Sequence, residues 1–79
     1  MPPRSKKKRT AEMIAFGKRI RELRTGKGWT QEVLAEAAEM NALQIGHIER
    51  GANDPKLSTI LKLARAFRMR AEELLHGLR

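Results

Sequence analysis

From Met13 onward, apolar residues return every three or four positions, and no stretch alternates with a period of two. That spacing puts them on single faces of helices and leaves no half-buried strand. Met13, Phe16, Ile20 and Leu23 form the first stripe, with Lys18, Arg19, Arg21 and Glu22 opposite. Gly26 and Gly28 flank Lys27 and stop this helix, since glycine takes the left-handed conformation that closes helices. Thr30 is a good cap for a second helix, and Trp29 before it can staple onto Leu34. Leu34, Ala35 and Ala38 supply the inward stripe. After a break near Glu39 and Met40, Asn41 caps a third helix and Gln44, three residues on, completes a capping box. Ile45 and Ile48 face inward, Gly51 closes the helix, and Ala52 to Pro55 read as a turn. A fourth helix from Pro55 buries Leu57, Ile60, Leu63, Ala64 and Phe67 and exposes Lys56, Lys62 and Arg65. A short fifth, Ala71 to Leu75, ends near Gly77. The expectation is an all-α, compact five-helix domain over residues 11–79.

A domain of this length buries only roughly 60 % of the surface its unfolded chain exposes, so a second domain or a deep substrate cavity is not expected. The chain has no cysteine, which removes disulfides, thiolate zinc sites and iron–sulfur clusters. Its serines are Ser5 and Ser58, and His47 and His76 stand on different helices without a metal-ligand pattern. Neither an enzyme nor a metal or other cofactor is expected. No run approaches the roughly 20 apolar residues of a membrane span, and a soluble, cytoplasmic chain is the default reading.

Seventeen Lys and Arg against nine Asp and Glu give a formal charge of +8, which implies an anionic partner without saying which polyanion. Arg4, Lys6, Lys7, Lys8 and Arg9 place five of these charges in the first ten residues, leaving +3 for residues 11–79. Residues 1–10 hold two of the three prolines and no apolar residue after Met1. They cannot offset the entropy of ordering and read as a disordered basic arm. No apolar stretch follows the charges, so the run is not a secretory signal. It fits an arm lying along a polyanion, and it equally fits a solubilising tail, a nuclear-import patch or a remnant of cloning.

The segment TQEVLAEAAEMNALQIGHIERG, residues 30–51, has the parts of two helices crossing at a tight turn. Ala35 lets the helices approach, Leu34, Ala38 and Met40 build the inner face, and Ile45 and Ile48 anchor the second of the pair. Its exposed front is then Ala42, Leu43, Gln44, Gly46, His47 and Arg50. With Gln31, Leu34 and Ala35 spaced as Gln-x-x-Leu-Ala, and Ile45, Ile48, Glu49 and Gly51 as Ile-x-x-Ile-Glu-x-Gly, residues 14–75 resemble the Cro/C1-type helix-turn-helix family of phage repressors, controller proteins and bacterial regulators.

The resemblance implies a phage-repressor type of fold and a DNA-binding transcriptional regulator. In that family the recognition helix, here 42–50, enters the major groove of double-stranded DNA, and the preceding helix grips a phosphate. The family's base-reading positions fall on Ala42, Leu43 and His47, with Gln44 and Asn41 at the rim. Gln44 suits adenine bidentately, His47 a guanine, and Ala42 or Leu43 a thymine methyl. Phosphate contacts are implied for Gln31, Asn41, Arg50, Asn53 and Lys56, and the arm residues Arg4, Lys6, Lys7, Lys8 and Arg9 wrap the duplex in some relatives. The family's ion pair falls on Arg24 and Glu49. A homodimer on a palindromic operator is implied, as a repressor or a restriction–modification controller.

Three positions depart from the family. Glu39 replaces the turn glycine and must take a positive φ unless the turn differs. Arg68 stands where relatives commonly have glycine after the fourth helix. Gly46 lies inside the recognition helix, where it costs about 1 kcal/mol relative to alanine. It either lets backbone approach a base or phosphate, or is a tolerated surface position. The modest hydrogen-bonding chemistry of Ala42, Leu43 and Gly46 keeps a second class open, an antitoxin or bridging coactivator whose partner is a toxin or polymerase. Arm-driven, non-specific DNA compaction is a third.

Overall fold

The structure, a computed structural model, describes residues 9–78. Arg4, Lys6, Lys7 and Lys8 lie outside the described residues, and Arg9 is exposed. The helices are α1 (Ala11–Gly26), α2 (Gln31–Ala38), α3 (Ala42–Glu49), α4 (Leu57–Ala66) and α5 (Ala71–Leu74), with no strand among the described residues. Thr10, counted with the arm in the sequence reading, caps α1: its hydroxyl accepts from the Met13 amide at 3.1 Å. Thr30 caps α2 in the same way through the Val33 amide, also at 3.1 Å. Each satisfies one of the orphan N–H groups of a helix start.

The five stripes meet in one core. Ile20, Leu34, Ile45, Leu63 and Leu74, one from each helix, are fully buried, and Phe16, Ala35, Ala38, Ile48, Ala64 and Phe67 surround them. Met13, at the edge of this group, is also buried. Trp29 rests on the core and stacks on Phe67, with ring centroids 5.8 Å apart and planes inclined by 12°. Its partner across the fold is therefore the C-cap of α4, in addition to any local staple. Lys27 Nζ covers the Trp29 ring at 5.3 Å.

One burial expectation fails. Leu57 is 71 % exposed, because the stripe of α4 reaches the core from Ile60 onward and its first residue projects past it. The third helix also ends one residue earlier than 42–50 suggests: Arg50 is its C-cap rather than its last turn.

Two helices end by the same device on residues that are not glycine. Glu39 has φ 59°, and the Met40 amide closes back on the Ala35 carbonyl at 2.8 Å. Arg68 has φ 55°, and the Met69 amide closes on the Ala64 carbonyl at 2.8 Å. Both are Schellman-type closures in which a methionine folds back against the core. The backbone thus keeps the glycine conformation at both departures from the family pattern. Gly51, at φ 70°, closes α3 where a Cβ would sit 3.0 Å from the Ile14 Cα.

Candidate nucleic-acid interface

The interface is built on α3, which packs against both α1 and α2. Its crossing with α1 depends on Gly17, a residue the periodicity argument passed over. A Cβ there would lie 2.2 Å from the Ile48 carbonyl oxygen and 2.8 Å from that of Glu49. The backbones touch because position 17 carries no side chain. A glycine in the middle of an otherwise strong helix, one residue after a core position, was the available signal.

At the C-terminal end of α3, three elements are tied through Glu49, whose side chain is 4 % exposed. Arg24 Nε donates to its Oε2 at 2.6 Å and Arg24 Nη2 to its Oε1 at 3.1 Å, a bidentate pair. Gln31 Nε2 donates to the same Oε1 at 3.1 Å. The remaining arm of the guanidinium, Nη1, donates to the Trp29 carbonyl at 2.8 Å. The hydrogen bond to Glu49 raises the Arg24 pKa above its ordinary value, against the opposing effect of burial. Arg24 therefore stays charged, and α1, the start of α2 and the end of α3 are held in one arrangement. Gln31 has a second N–H on Nε2, free for an outside acceptor.

At the N-terminal end, the capping box is reciprocal. Asn41 Oδ1 accepts from the Gln44 amide at 2.8 Å, and Gln44 Oε1 accepts from the Asn41 amide at 3.1 Å. The Gln44 oxygen is thereby engaged, while its NH₂ group remains available on an exposed side chain.

The outward face is narrower than the sequence suggests. Leu43 is 68 % exposed, and Gln44 and Arg50 are exposed with it. His47 is half-buried, with Nδ1 3.1 Å from Arg50 Nη2. Ala42 is not on the open front: it is half-buried against the core and borders a shallow groove with Arg24, Trp29, Thr30 and Gln31. Gly46 is buried, which corrects both readings of it as a surface or groove-facing position. A Cβ at Gly46 would meet Arg50 Nη1 at 3.2 Å and Gln31 Oε1 at 3.8 Å, so those two side chains lie over it. The loop after α3 brings Asn53 and Lys56 to a polar groove shared with Met40, Gln44, Ile48 and Thr59. Gln44, Asn53 and Lys56 therefore come together on one side of α3, and Gln31 and Ala42 on the other.

Two short helices joined by a left-handed turn, the second anchored inward by Ile45 and Ile48 and open along Leu43, Gln44 and Arg50, make a helix-turn-helix unit. The family model described as "Helix-turn-helix domain" matches residues 15–77, and the chain belongs to that family. It is 39 % identical over 63 residues, 80 % of this chain and 91 % of the other, to the uncharacterized HTH-type transcriptional regulator YazB of Bacillus subtilis. It is 34 % identical over 64 residues to the HTH-type transcriptional activator BcrR of Enterococcus faecalis, 81 % of this chain and only 31 % of BcrR. Among solved structures, the restriction-modification controller protein C.AhdI of Aeromonas hydrophila superposes with a TM-score of 0.79 at 43 % identity, covering 82 % of this chain and 98 % of that one. No helix among the described residues is long and apolar enough to cross a membrane.

Proposed function

We propose that the chain is a sequence-specific, double-stranded-DNA-binding transcriptional regulator that acts as a homodimer, as a repressor or a restriction–modification controller protein. The observation that carries this reading is the division of α3. Its inner side is locked by Ile45, Ile48 and Glu49, while Leu43, Gln44, His47 and Arg50 stand on its outward side, with Asp54 the carboxylate in the groove beside Gln44. Such a helix fits a major groove about 12 Å wide. In this reading His47, Gln44 and Leu43 meet base edges, with Ala42 at the margin. Gln31, Asn41, Arg50, Asn53 and Lys56 meet phosphates, Gln31 through its free N–H. The basic residues of 1–10 add attraction along the duplex, and residues 11–79 form the domain that reads it. The likeness to the controller protein C.AhdI supports this reading. Two copies about a two-fold axis would set their α3 helices roughly 34 Å apart, one turn of duplex. The site is a cytoplasmic one, on bacterial or phage DNA.

Selection from a random duplex library at near-physiological salt tests it. Enrichment of an inverted repeat with half-sites one turn apart is the expected result. Tight, salt-sensitive binding with no enriched sequence would refute it and favour the second reading, an antitoxin or coactivator working through protein contacts. That alternative draws on Leu57 and Leu43, large apolar side chains 71 % and 68 % exposed.

A further inference from the structure

We infer that His47, held by Arg50, presents a hydrogen-bond donor and no acceptor to the base edge it faces, so that it selects a keto base, guanine or thymine, and rejects the amino groups of adenine and cytosine. The inference rests on the proposed DNA-binding role. It starts from Arg50, a residue that acts here through its neighbour. A guanidinium has five N–H donors, no acceptor, and does not give up its proton in proteins. Arg50 Nη2 lies 3.1 Å from His47 Nδ1, so Nδ1 must offer its lone pair. The single proton of the neutral ring then sits on Nε2, and His47 can only donate with its free nitrogen. Arg50 is thus a positioning residue for His47.

Gly46 is what gives Arg50 this place. The glycine is buried although it has no side chain, and the nearest atom to a Cβ built on it is Arg50 Nη1, at 3.2 Å. That is tighter than ordinary contact, so a methyl at position 46 requires the guanidinium beside His47 to give by a few tenths of an ångström. The flexibility of Arg50 makes the displacement feasible without unfolding the helix.

The second member of the face is constrained independently. Gln44 normally offers both an oxygen and an NH₂, the combination that reads adenine. Here its oxygen accepts from the Asn41 backbone N–H, which engages one of its two lone pairs and leaves both N–H donors of the NH₂ group unused. Leu43 beside them adds an apolar surface that suits the thymine methyl. The His47 donor matches guanine O6 and thymine O4. It leaves adenine N6–H₂ and cytosine N4–H₂ without a partner, which is costly once water is excluded.

The test uses the full chain and the duplex enriched from the library. The base facing His47 is the one whose preference His47→Ala relaxes. At that position the wild-type chain is expected to favour guanine or thymine over adenine and cytosine by about tenfold, as one good base contact supplies. Where the base is guanine, hypoxanthine should bind equally, because it keeps O6 and N7. Arg50→Ala should lower that discrimination to about threefold, and Gly46→Ala, which only shifts the guanidinium, should lower it less. In ¹⁵N-labelled wild-type protein bound to DNA, two-bond ¹H–¹⁵N correlation should place the His47 proton on Nε2. A preference for adenine or cytosine, or a proton on Nδ1 in the complex, overturns the inference. So does an Arg50→Ala chain that weakens on every sequence alike and keeps the wild-type preference. If no sequence is enriched at all, the proposed function fails and this inference with it. If a site is enriched without the donor signature, only this inference fails.

Discussion

Replacing Glu49 by alanine removes the acceptor of three hydrogen bonds, two from Arg24 and one from Gln31. The Arg24 side chain is 13 % exposed, so water reaches only part of the guanidinium once its partner is gone. Breaking a buried pair by removing one partner costs about 3–5 kcal/mol, most of it the stranded charge. Arg24 keeps its bond to the Trp29 carbonyl and some access to solvent, which puts the expected loss near the lower end, about 3 kcal/mol. A chain of this size has roughly 4–12 kcal/mol in total. At about 4–8 °C per kcal/mol for a domain under 100 residues, the melting temperature should fall by about 12–24 °C. Thermal melts followed by circular dichroism at 222 nm read this directly. The companion experiment is Arg24→Met with Glu49→Leu. Removing both charges strands neither, so the double variant should be more stable than Glu49→Ala by about 2 kcal/mol. A Glu49→Ala protein that melts within 2–3 °C of wild type, roughly half a kcal/mol, would show that α3 is held by its apolar side alone. The reasoning about the ion pair would then be wrong.

Four further outcomes follow from the same geometry. Gly17→Ala should destabilise the fold severely, by more than about 3 kcal/mol, because the new methyl meets two α3 carbonyl oxygens that cannot move independently; a soluble variant with a wild-type urea midpoint would contradict this. Glu39→Gly should stabilise by about 1 kcal/mol by relieving the left-handed conformation, and Arg68→Gly by a similar amount, additively, in the same urea titration. Gln31→Ala should weaken binding to all duplexes alike and His47→Ala should alter preference at one position; sequencing of bound libraries showing the reverse would exchange their roles. Replacing an operator thymine beside Leu43 by deoxyuridine should weaken binding about fourfold, the worth of one buried methyl group, and Leu43→Ala should abolish that sensitivity.

The fold was legible because α2 and α3 announce themselves twice, once by their inward residues and once by their ends, and α1 and α4 by their stripes. Thr30, Asn41 and Gln44 are caps by chemistry, and the structure places them at helix starts. What the pattern could not reveal was contact between elements. Nothing in the local sequence says that Trp29 stacks on Phe67, 38 residues away, or that Gly17 is the point where two backbones meet. Leu57 misled because a stripe extrapolated by period assumes something covers its end, and here nothing does. Gly46 misled for the opposite reason: a residue without a side chain reads as surface, yet the side chains of Arg50 and Gln31 close over it.

The same distinction separates what α3 carries from how it carries it. The residue types on its front were visible in the sequence, and so was the resemblance that assigns them to bases. Their hydrogen-bonding direction was not, because glutamine and histidine can each donate or accept. Direction is imposed by neighbours: the Asn41 amide takes the Gln44 oxygen, and Arg50 takes the His47 lone pair. Both neighbours belong to α3's own caps, Asn41 as N-cap and Arg50 as C-cap. The residues that terminate the helix therefore also set the polarity of its outward face. Substituting Arg50 should change which bases are accepted, whereas substituting Asn41 acts through helix stability and charge, because its backbone N–H remains. Asn41→Asp gives the sharpest case, because an aspartate caps as well as an asparagine and keeps the acceptor for the Gln44 amide. Helix stability should then hold, while the added negative charge at the edge of the groove lowers affinity for every duplex. Asn41→Ala removes the acceptor, and about 1 kcal/mol of stability with it. The backbone N–H of residue 41 still donates to Gln44 Oε1, so the base preference beside Gln44 should hold. Library selection with the two variants side by side separates charge from cap: if Asn41→Ala shifts the base preference beside Gln44, the backbone N–H does not set the direction of that residue.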